Sequence, residues 1–429
     1  MNRLRMILAT GLLTLPTSLL AEDLLQVTHY ALEQDPTLEI SRLGVAVKQQ
    51  QYRQANALLL PSITTAASYD YMDNSPLTDE NRAESYSLSV TQKIYHRDQI
   101  KKSEQAQVSR EESELALQLT YQQLLLRVAR AYFNQLASED TLQLAEQEMN
   151  AVSEQLKRIK GRYDAGVSAL TDVQEAQARF DLINATLVSA RAGVENSREA
   201  LFEIINRELS PLQPLAKSVP LTPPQPADVN QWVAQALGHN LTLQQLHKQK
   251  VAASLAIESA RSGYYPSVDL IGKLSHSENS NTLYGPGAEG YSVGIQAALP
   301  LYSGGGTRAR VSEAILLQQQ VDMALVQQQR SMVKTVRSSY LAVNTAIELV
   351  KAQIQVLSSA QTAFNATQAG VEVGTRTTVD LLDAQKELYS AHRDMSLSKY
   401  DLLLARLTLK ESTGMLELED VERVNQLLH

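Results

Sequence analysis

Val373-Gly374-Thr375-Arg376-Thr377-Thr378-Val379-Asp380-Leu381-Leu382-Asp383-Ala384-Gln385 has a counterpart about two hundred residues earlier, Gly166-Val167-Ser168-Ala169-Leu170-Thr171-Asp172-Val173-Gln174-Glu175-Ala176-Gln177. In both stretches a Gly stands six residues before an Asp and ten before an Ala-Gln pair, at an offset of 208. Two more anchors hold nearly the same register: Leu60-Pro61-Ser62 answers Tyr265-Pro266-Ser267, and Tyr86-Ser87-Leu88 answers Tyr291-Ser292-Val293, both at 205. Solenoid repeats run to about 20 to 50 residues, so a repeat this long marks duplication of a complete structural unit. The reading is a first repeat over 22–210, a Pro-rich linker over 211–228 and a second repeat over 229–429.

Outward from each quoted Gly the chain is helical. From Asp98 to about Tyr163 there is no Pro and the only Gly is Gly161, and the second half matches this from about Thr307 to Ala369, again without Pro. The spacing predicts helices over 98–163 and 307–369, each about 95 to 100 Å long at 1.5 Å per residue. Apolar residues recur at sevens on two stripes, Leu117, Leu124, Ala131 and Leu119, Leu126, Phe133. Two stripes imply packing on two sides, as in a layered array or the wall of a tube. After each break a helix returns, over about 171–207 and 378–412. Shorter helices open the repeats: Asp35-Pro36 starts one that Pro61 stops, and another runs from Leu241 to Arg261. One opening helix stacked on one returning helix approximates the length of a long helix, which places the linker at mid-height.

Between opening and long helices lie segments of period two. Val268, Leu270, Gly272 and Leu274 interleave with polar neighbours, as do Val293, Ile295, Ala297 and Leu299, while Tyr86, Leu88 and Val90 alternate with Ser87, Ser89 and Thr91. The strands read as 61–72, 86–95, 266–276 and 291–302. Tyr69, Tyr71, Tyr86, Tyr95, Tyr264, Tyr265, Tyr291 and Tyr302 cluster at their ends. Strands of about ten residues with aromatic ends suit an outer-membrane barrel. Standing alone they would better suit two soluble hairpins with one wet face; helices of such length make that reading the poorer one. Four strands cannot close a barrel, which needs about eight, so several copies are implied. Two or three would serve.

Composition agrees. Residues 1–21 carry Arg3 and Arg5, then a short interrupted apolar run ending at Ala21, the pattern of a secretory signal peptide. No later stretch offers about 20 apolar residues, so any membrane insertion must use strands. There is no Cys, and a net charge of −8 argues against a nucleic-acid partner.

The whole combination resembles the TolC-like outer-membrane efflux family from Glu22 to about Leu416, most closely in the two quoted stretches and in Pro300-Leu301-Tyr302-Ser303-Gly304-Gly305. The resemblance implies a mostly α fold with a small β part: long antiparallel helices forming a periplasmic α-barrel, and four transmembrane strands per chain completing a twelve-stranded barrel in a homotrimer. It implies an exit duct in the outer-membrane lipid of a Gram-negative bacterium, passively conducting drugs or other small molecules. The implied partners are a periplasmic adaptor and an inner-membrane transporter, with no cofactor. It further implies a pore selectivity ring of Asp380 and Asp383, which spacing alone reads as an ordinary solvated helix face. Crowding in such a ring favours cations and raises carboxylate pKa values. Arg376 resembles a gating arginine whose partners would be Thr171 and Asp172 of the neighbouring chain. Gly166, Val167, Gly374 and Thr375 would meet the adaptor. The chain departs from the family at Val371, where an aromatic is usual, which shifts closure onto Arg376. A duct for protein secretion would share all these residues, and a periplasmic coiled-coil scaffold without a pore is the alternative of another class.

Other signals carry no chemistry. Gly285-Pro286-Gly287-Ala288-Glu289-Gly290 fits a phosphate-loop spacing but precedes a strand, Gly304-Gly305-Gly306 lacks the Lys of a P-loop, and the seven His show no metal-ligand spacing apart from an unsupported His239 and His247 pair. No nucleophile and base pair up, so no enzyme is expected.

Overall fold

The computed structural model describes residues 21–72, 81–216, 218–279 and 287–428. The signal-peptide stretch, Ala21 excepted, lies outside them, as do Gly285 and Pro286 and most of the loops that join the strand pairs. The elements in chain order are α1 (Leu24–Gln34), α2 (Pro36–Ala57), β1 (Ser62–Met72), β2 (Asn81–Tyr95), α3 (Arg97–Asp164), α4 (Leu170–Ile205), α5 (Val229–His239), α6 (Leu241–Arg261), β3 (Ser267–Asn279), β4 (Ala288–Ala298), α7 (Gly306–Glu372), α8 (Thr378–Ser412) and α9 (Leu418–Asn425).

Local chemistry starts the opening helices of both halves. Asp35 accepts from Leu38 N–H at 2.8 Å with Pro36 at the first helical position, and Asn240 accepts from Leu243 N–H at 3.1 Å. Strand ends differ from the sequence reading. β4 stops at Ala298 instead of reaching Tyr302, because Pro300 has no N–H for a ladder and Gly304 and Gly305, at φ 61° and 83°, turn the chain into α7. β2 begins five residues before Tyr86, at Asn81, since Arg82 and Glu84 find backbone partners in Tyr71 and Tyr69. β3 continues three residues past His276, where Glu278 pairs with Glu84.

The sheet is antiparallel in the order β1-β2-β3-β4. Its register puts Ile63, Val90, Gly272 and Val293 in one row and Thr65, Leu88, Leu274 and Tyr291 in the next, on one face. The opposite face carries Thr64, Ser89, Lys273 and Ser292, then Ala66, Ser87, Ser275 and Gly290. Apolar side chains on the first face are exposed to a degree water would not tolerate, 77% for Val293 and 75% for Ile295. Hydrocarbon is the solvent that fits them.

Helices continue the same order. Toward the sheet, α3 packs on α2 and α6, and α6 on α7; away from the sheet, α3 packs on α4 and α8, and α8 on α7. The body is therefore a layer with one edge made of β1, α2 and α4 and the other of β4 and α7. Both edges carry exposed apolar residues, Ile40, Leu43 and Val47 on α2 and Leu316, Leu317 and Met323 on α7. Within the described residues nothing covers them.

Most of the core sits at mid-height. Leu124, Leu125, Val128, Ala129, Tyr132, Phe133 and Leu136 of α3 are buried against Tyr400, Leu402, Leu403 and Leu407 of α8. Instead of two separated stripes, α3 here has one broad face. Phe133 packs on Tyr132 and Tyr400 with ring centroids 5.8 and 5.7 Å away. The chain ends and the linker belt this core: Glu22 pairs with Leu212, Leu215 with Leu428, and Tyr132 Oη donates to Gln213 O at 2.9 Å. Trp232 of α5 donates to Pro226 O at 2.8 Å, and Val421 and Val424 of α9 are buried. A second, smaller core near the far end gathers Val152, Leu156 and Ile159 of α3, Val173 and Ala176 of α4 and Leu382 of α8.

Candidate functional site

Away from the sheet the layer ends in two hairpin tips, α3 to α4 and α7 to α8. Both turns are built the same way. Gly166 and Gly374 adopt the left-handed conformation at φ 74° and 78°. In the first tip Val167 N–H donates to Arg162 O and Gly166 N–H to Tyr163 O, both at 2.8 Å; in the second Thr375 N–H donates to Gly370 O at 2.8 Å and Gly374 N–H to Val371 O at 3.3 Å. These paired bonds satisfy the last carbonyls of each outgoing helix. The glycines are thus required by the turn itself, and beside them Val167 and Thr375 stand exposed.

The aspartates repeat as well. Asp172 accepts from Ala169 N–H at 3.2 Å and from Ser168 Oγ at 2.6 Å. Asp380 accepts from Thr377 N–H at 2.9 Å while Thr377 Oγ1 accepts from Asp380 N–H at 3.1 Å, a complete capping box. Both carboxylates therefore hold their own helix starts. The hydrogen bond from the Thr377 backbone, its hydroxyl and nearby Arg376 keep Asp380 below its ordinary carboxylate value. In a single chain the cap acts on Asp380 in the direction opposite to the ring crowding anticipated from sequence. Asp383 is exposed and has no hydrogen-bond partner among the described residues, and Thr171 is exposed.

Arg376 is seated by a residue that sequence reading passed over. A Cβ on Gly370 would lie 2.7 Å from Arg376 Cγ and 3.2 Å from its Cβ, so the arginine stem lies against the glycine. The Gly370 carbonyl also accepts from Thr375 N–H, Arg376 N–H at 3.2 Å and Thr375 Oγ1 at 3.1 Å. The guanidinium itself is exposed and makes no hydrogen bond within the chain among the described residues. The signal for Gly370 was present in the repeat, since the position 208 residues earlier is Arg162. Likewise the aromatic absent at Val371 stands at the matching place in the first tip, as half-exposed Tyr163. Within one chain, α4 and α8 bring Asp172 and Asp380 to the same end of the layer; Arg376 and Asp172 are not bonded to one another.

No group of three or more metal-binding side chains occurs among the described residues, and no described helix is long and apolar enough to cross a membrane.

Comparison with known proteins matches this architecture. The family described as outer membrane efflux protein aligns with residues 27–207 and 232–415, one stretch for each half of the duplication. Outer membrane protein TolC of Vibrio cholerae serotype O1 is 33% identical, covering 98% of this chain and 97% of its own length. TolC of Escherichia coli K12 is 31% identical, covering 95% and 85%. The solved structure of the Campylobacter jejuni CmeC outer membrane channel superposes with a TM-score of 0.80 at 14% identity, covering 95% of this chain and 90% of that one. An apolar-faced sheet continued by tunnel-length helices, with a duplication the alignment follows half by half, places this outer-membrane channel in the outer membrane efflux protein family.

Proposed function

We propose that three copies of this chain close into one conduit that carries drugs or other small molecules out of the periplasm, fed by an inner-membrane transporter through a periplasmic adaptor. The observation that carries the reading is the pair of unmatched edges. β1, α2 and α4 lie on one side and β4 and α7 on the other, from the sheet to the last turn, and in the proposed assembly one copy's left edge meets the next copy's right edge. Such head-to-tail contacts close into a ring when the rotation from copy to copy completes a full turn. Four strands from each of three copies make twelve, enough for an open bore.

The polar sheet face then lines the lumen and the apolar face meets lipid. At the tips, Arg376 reaches across the seam to Thr171 and Asp172 of the next copy, Asp380 and Asp383 ring the aperture, and Gly166, Val167, Gly374 and Thr375 form the adaptor-facing rim. A planar guanidinium bonds a hydroxyl and a carboxylate together, and a handful of such contacts is weak enough to release when a partner docks.

The test is assembly mass and single-channel conductance of the purified protein. Leu88→Arg on the lipid face should cost about 2 to 4 kcal/mol and abolish recovery in the outer-membrane fraction, whereas Ser87→Arg on the other face should be tolerated and lower conductance. Equal loss for both would refute the assignment of faces.

A further inference from the structure

Behind the second tip, α3, α7 and α8 enclose a groove of about 660 Å³. We propose that it is a binding site for an amphipathic carboxylate. Its floor holds Gln385, which is 6% exposed and whose amide Nε2 has no hydrogen-bond partner. A buried donor left unmade is costly, so the position is unfavourable unless something occupies it. Along one wall run Arg158 and Arg162, four residues apart and on the same side of α3, both exposed and neither engaged in a hydrogen bond or ion pair among the described residues. Phe364, Leu381 and Ile159 supply the apolar wall. Two acids also touch the groove. Glu154 is tied to Lys157 at 2.8 Å and also feels the charge of Arg158, and Glu372 stands exposed at the rim.

The duplication supplies the control. Gln177 is the counterpart of Gln385, and its amide is satisfied at both ends: Lys160 Nζ donates to its Oε1 at 3.1 Å and its Nε2 donates to Asp181 Oδ1 at 3.0 Å. The positions matching Lys160 and Asp181 in the second half are Gln368 and Tyr389, and both line the groove. In one copy of the unit the amide has its partners; in the other their places are taken by the lining of an open, apolar-walled cleft along which two guanidiniums stand without a hydrogen bond. A ligand that fits brings an acceptor for Gln385, a carboxylate for the two guanidiniums and an apolar body. The site is complete within one chain, so it stands or falls independently of the gate across the seam.

The experiment titrates 1-naphthoate into the full detergent-solubilised assembly and follows its fluorescence anisotropy, with 1-naphthalenemethanol as the uncharged control. The expected result is saturable binding of one naphthoate per chain, weakened about tenfold by the double substitution Arg158→Ala and Arg162→Ala, and unchanged by Gln177→Leu. Gln385→Leu should weaken it several-fold. Both arginines are exposed, so their variants report on the site and not on folding. Equal affinity for the alcohol, unchanged binding in the arginine variants, or no binding at all would overturn the proposal. A photocrosslinker placed at Phe364 that captured a protein in cells would overturn it too, in favour of a macromolecular occupant.

Discussion

The two hairpin tips share a backbone and differ in almost every side chain that could act. Each has a left-handed Gly closing the outgoing helix and an Asp bonded to the N–H that opens the returning one. Around that common frame the first tip has Arg162 before the turn and Ser168 after it, and the second has Gly370 before and Arg376 after. The arginine has in effect changed sides of the turn. The two tips are built on the same turn, whose backbone geometry requires the Gly and whose first helical bond uses the Asp, and apart from the shared Ala-Gln pair the side chains around that frame differ.

The largest effect that would break this comparison is expected at Gly370. Gly370→Ala adds a methyl 2.7 Å from Arg376 Cγ at a helical position where alanine is otherwise favoured, so the protein should fold while the arginine is displaced. Single-channel conductance should rise about tenfold, as far as in Arg376→Ala, if the proposed contact across the seam is a charge-assisted bond of roughly 1.5 to 3 kcal/mol. Arg162→Ala at the matching place should leave conductance unchanged. A closed Gly370→Ala channel would mean that the seat of the arginine does not matter.

Next in size is a pair of opposite signs. Gln385→Leu removes an unmade donor from a buried site and should raise stability by about 1 to 2 kcal/mol, while Gln177→Leu discards two made bonds and should lower it by about 1 kcal/mol. Rates of heat inactivation of the two variants measure the difference, and the same sign in both would erase the asymmetry.

A smaller contrast lies in the caps. Thr377 caps α8 with its hydroxyl, and Ala169 has none to offer α4. Thr377→Ala should loosen the first turn of α8 by about 1 kcal/mol, roughly fivefold in hydrogen-exchange protection, and Ala169→Ser should tighten α4 by a similar amount.

The smallest effect separates pH responses. Asp380 has its pKa lowered, so its contribution is present above 3.8 and is lost only as pH falls through the still lower folded value. Glu148, on α3 where it faces α4 and α8, is raised above 4.5 by burial, against the pull of Arg179, Arg393 and Lys386. Its folded form holds the proton more tightly, so stability there declines as pH rises through the window above 4.5. Acidification toward 4.5 should therefore raise exchange protection around Glu148, after correction for the intrinsic slowing of exchange, and leave the protection of the α8 cap unchanged.

How much of this was legible depended on sequence distance. The absence of Pro through α3 and α7, and the period-two runs of β2, β3 and β4, are local signals, and the folded elements follow them to within a few residues. The turns were legible because the same glycine spacing occurs twice. α5 and α9 were not, since each is short and owes its stability to burying Trp232 and Ala236, or Val421 and Val424, on a core assembled from remote segments. The mid-height belt was hidden for the same reason: Glu22 meets Leu212, and Leu215 meets Leu428, far along the chain. The groove needed Arg158 and Gln385 on one wall and floor, and only the packing of α3 against α8 brings them there. Strand ends were misjudged where Pro300 and the cross-strand partners of Arg82 and Glu84 outweighed the local alternation.

The unmatched edges have a genetic consequence. In a closed head-to-tail cylinder every subunit takes part in two joints, one through β1, α2 and α4 and one through β4 and α7. A subunit damaged on one edge still presents a sound opposite edge and so is still recruited. In a cell that makes both forms, damaged copies poison cylinders whose other members are intact, and only the minority built wholly from intact subunits would conduct normally. Alleles altered along these edges should accordingly behave as dominant, while alleles altered in the buried mid-height core, which leave no folded subunit to recruit, should be recessive.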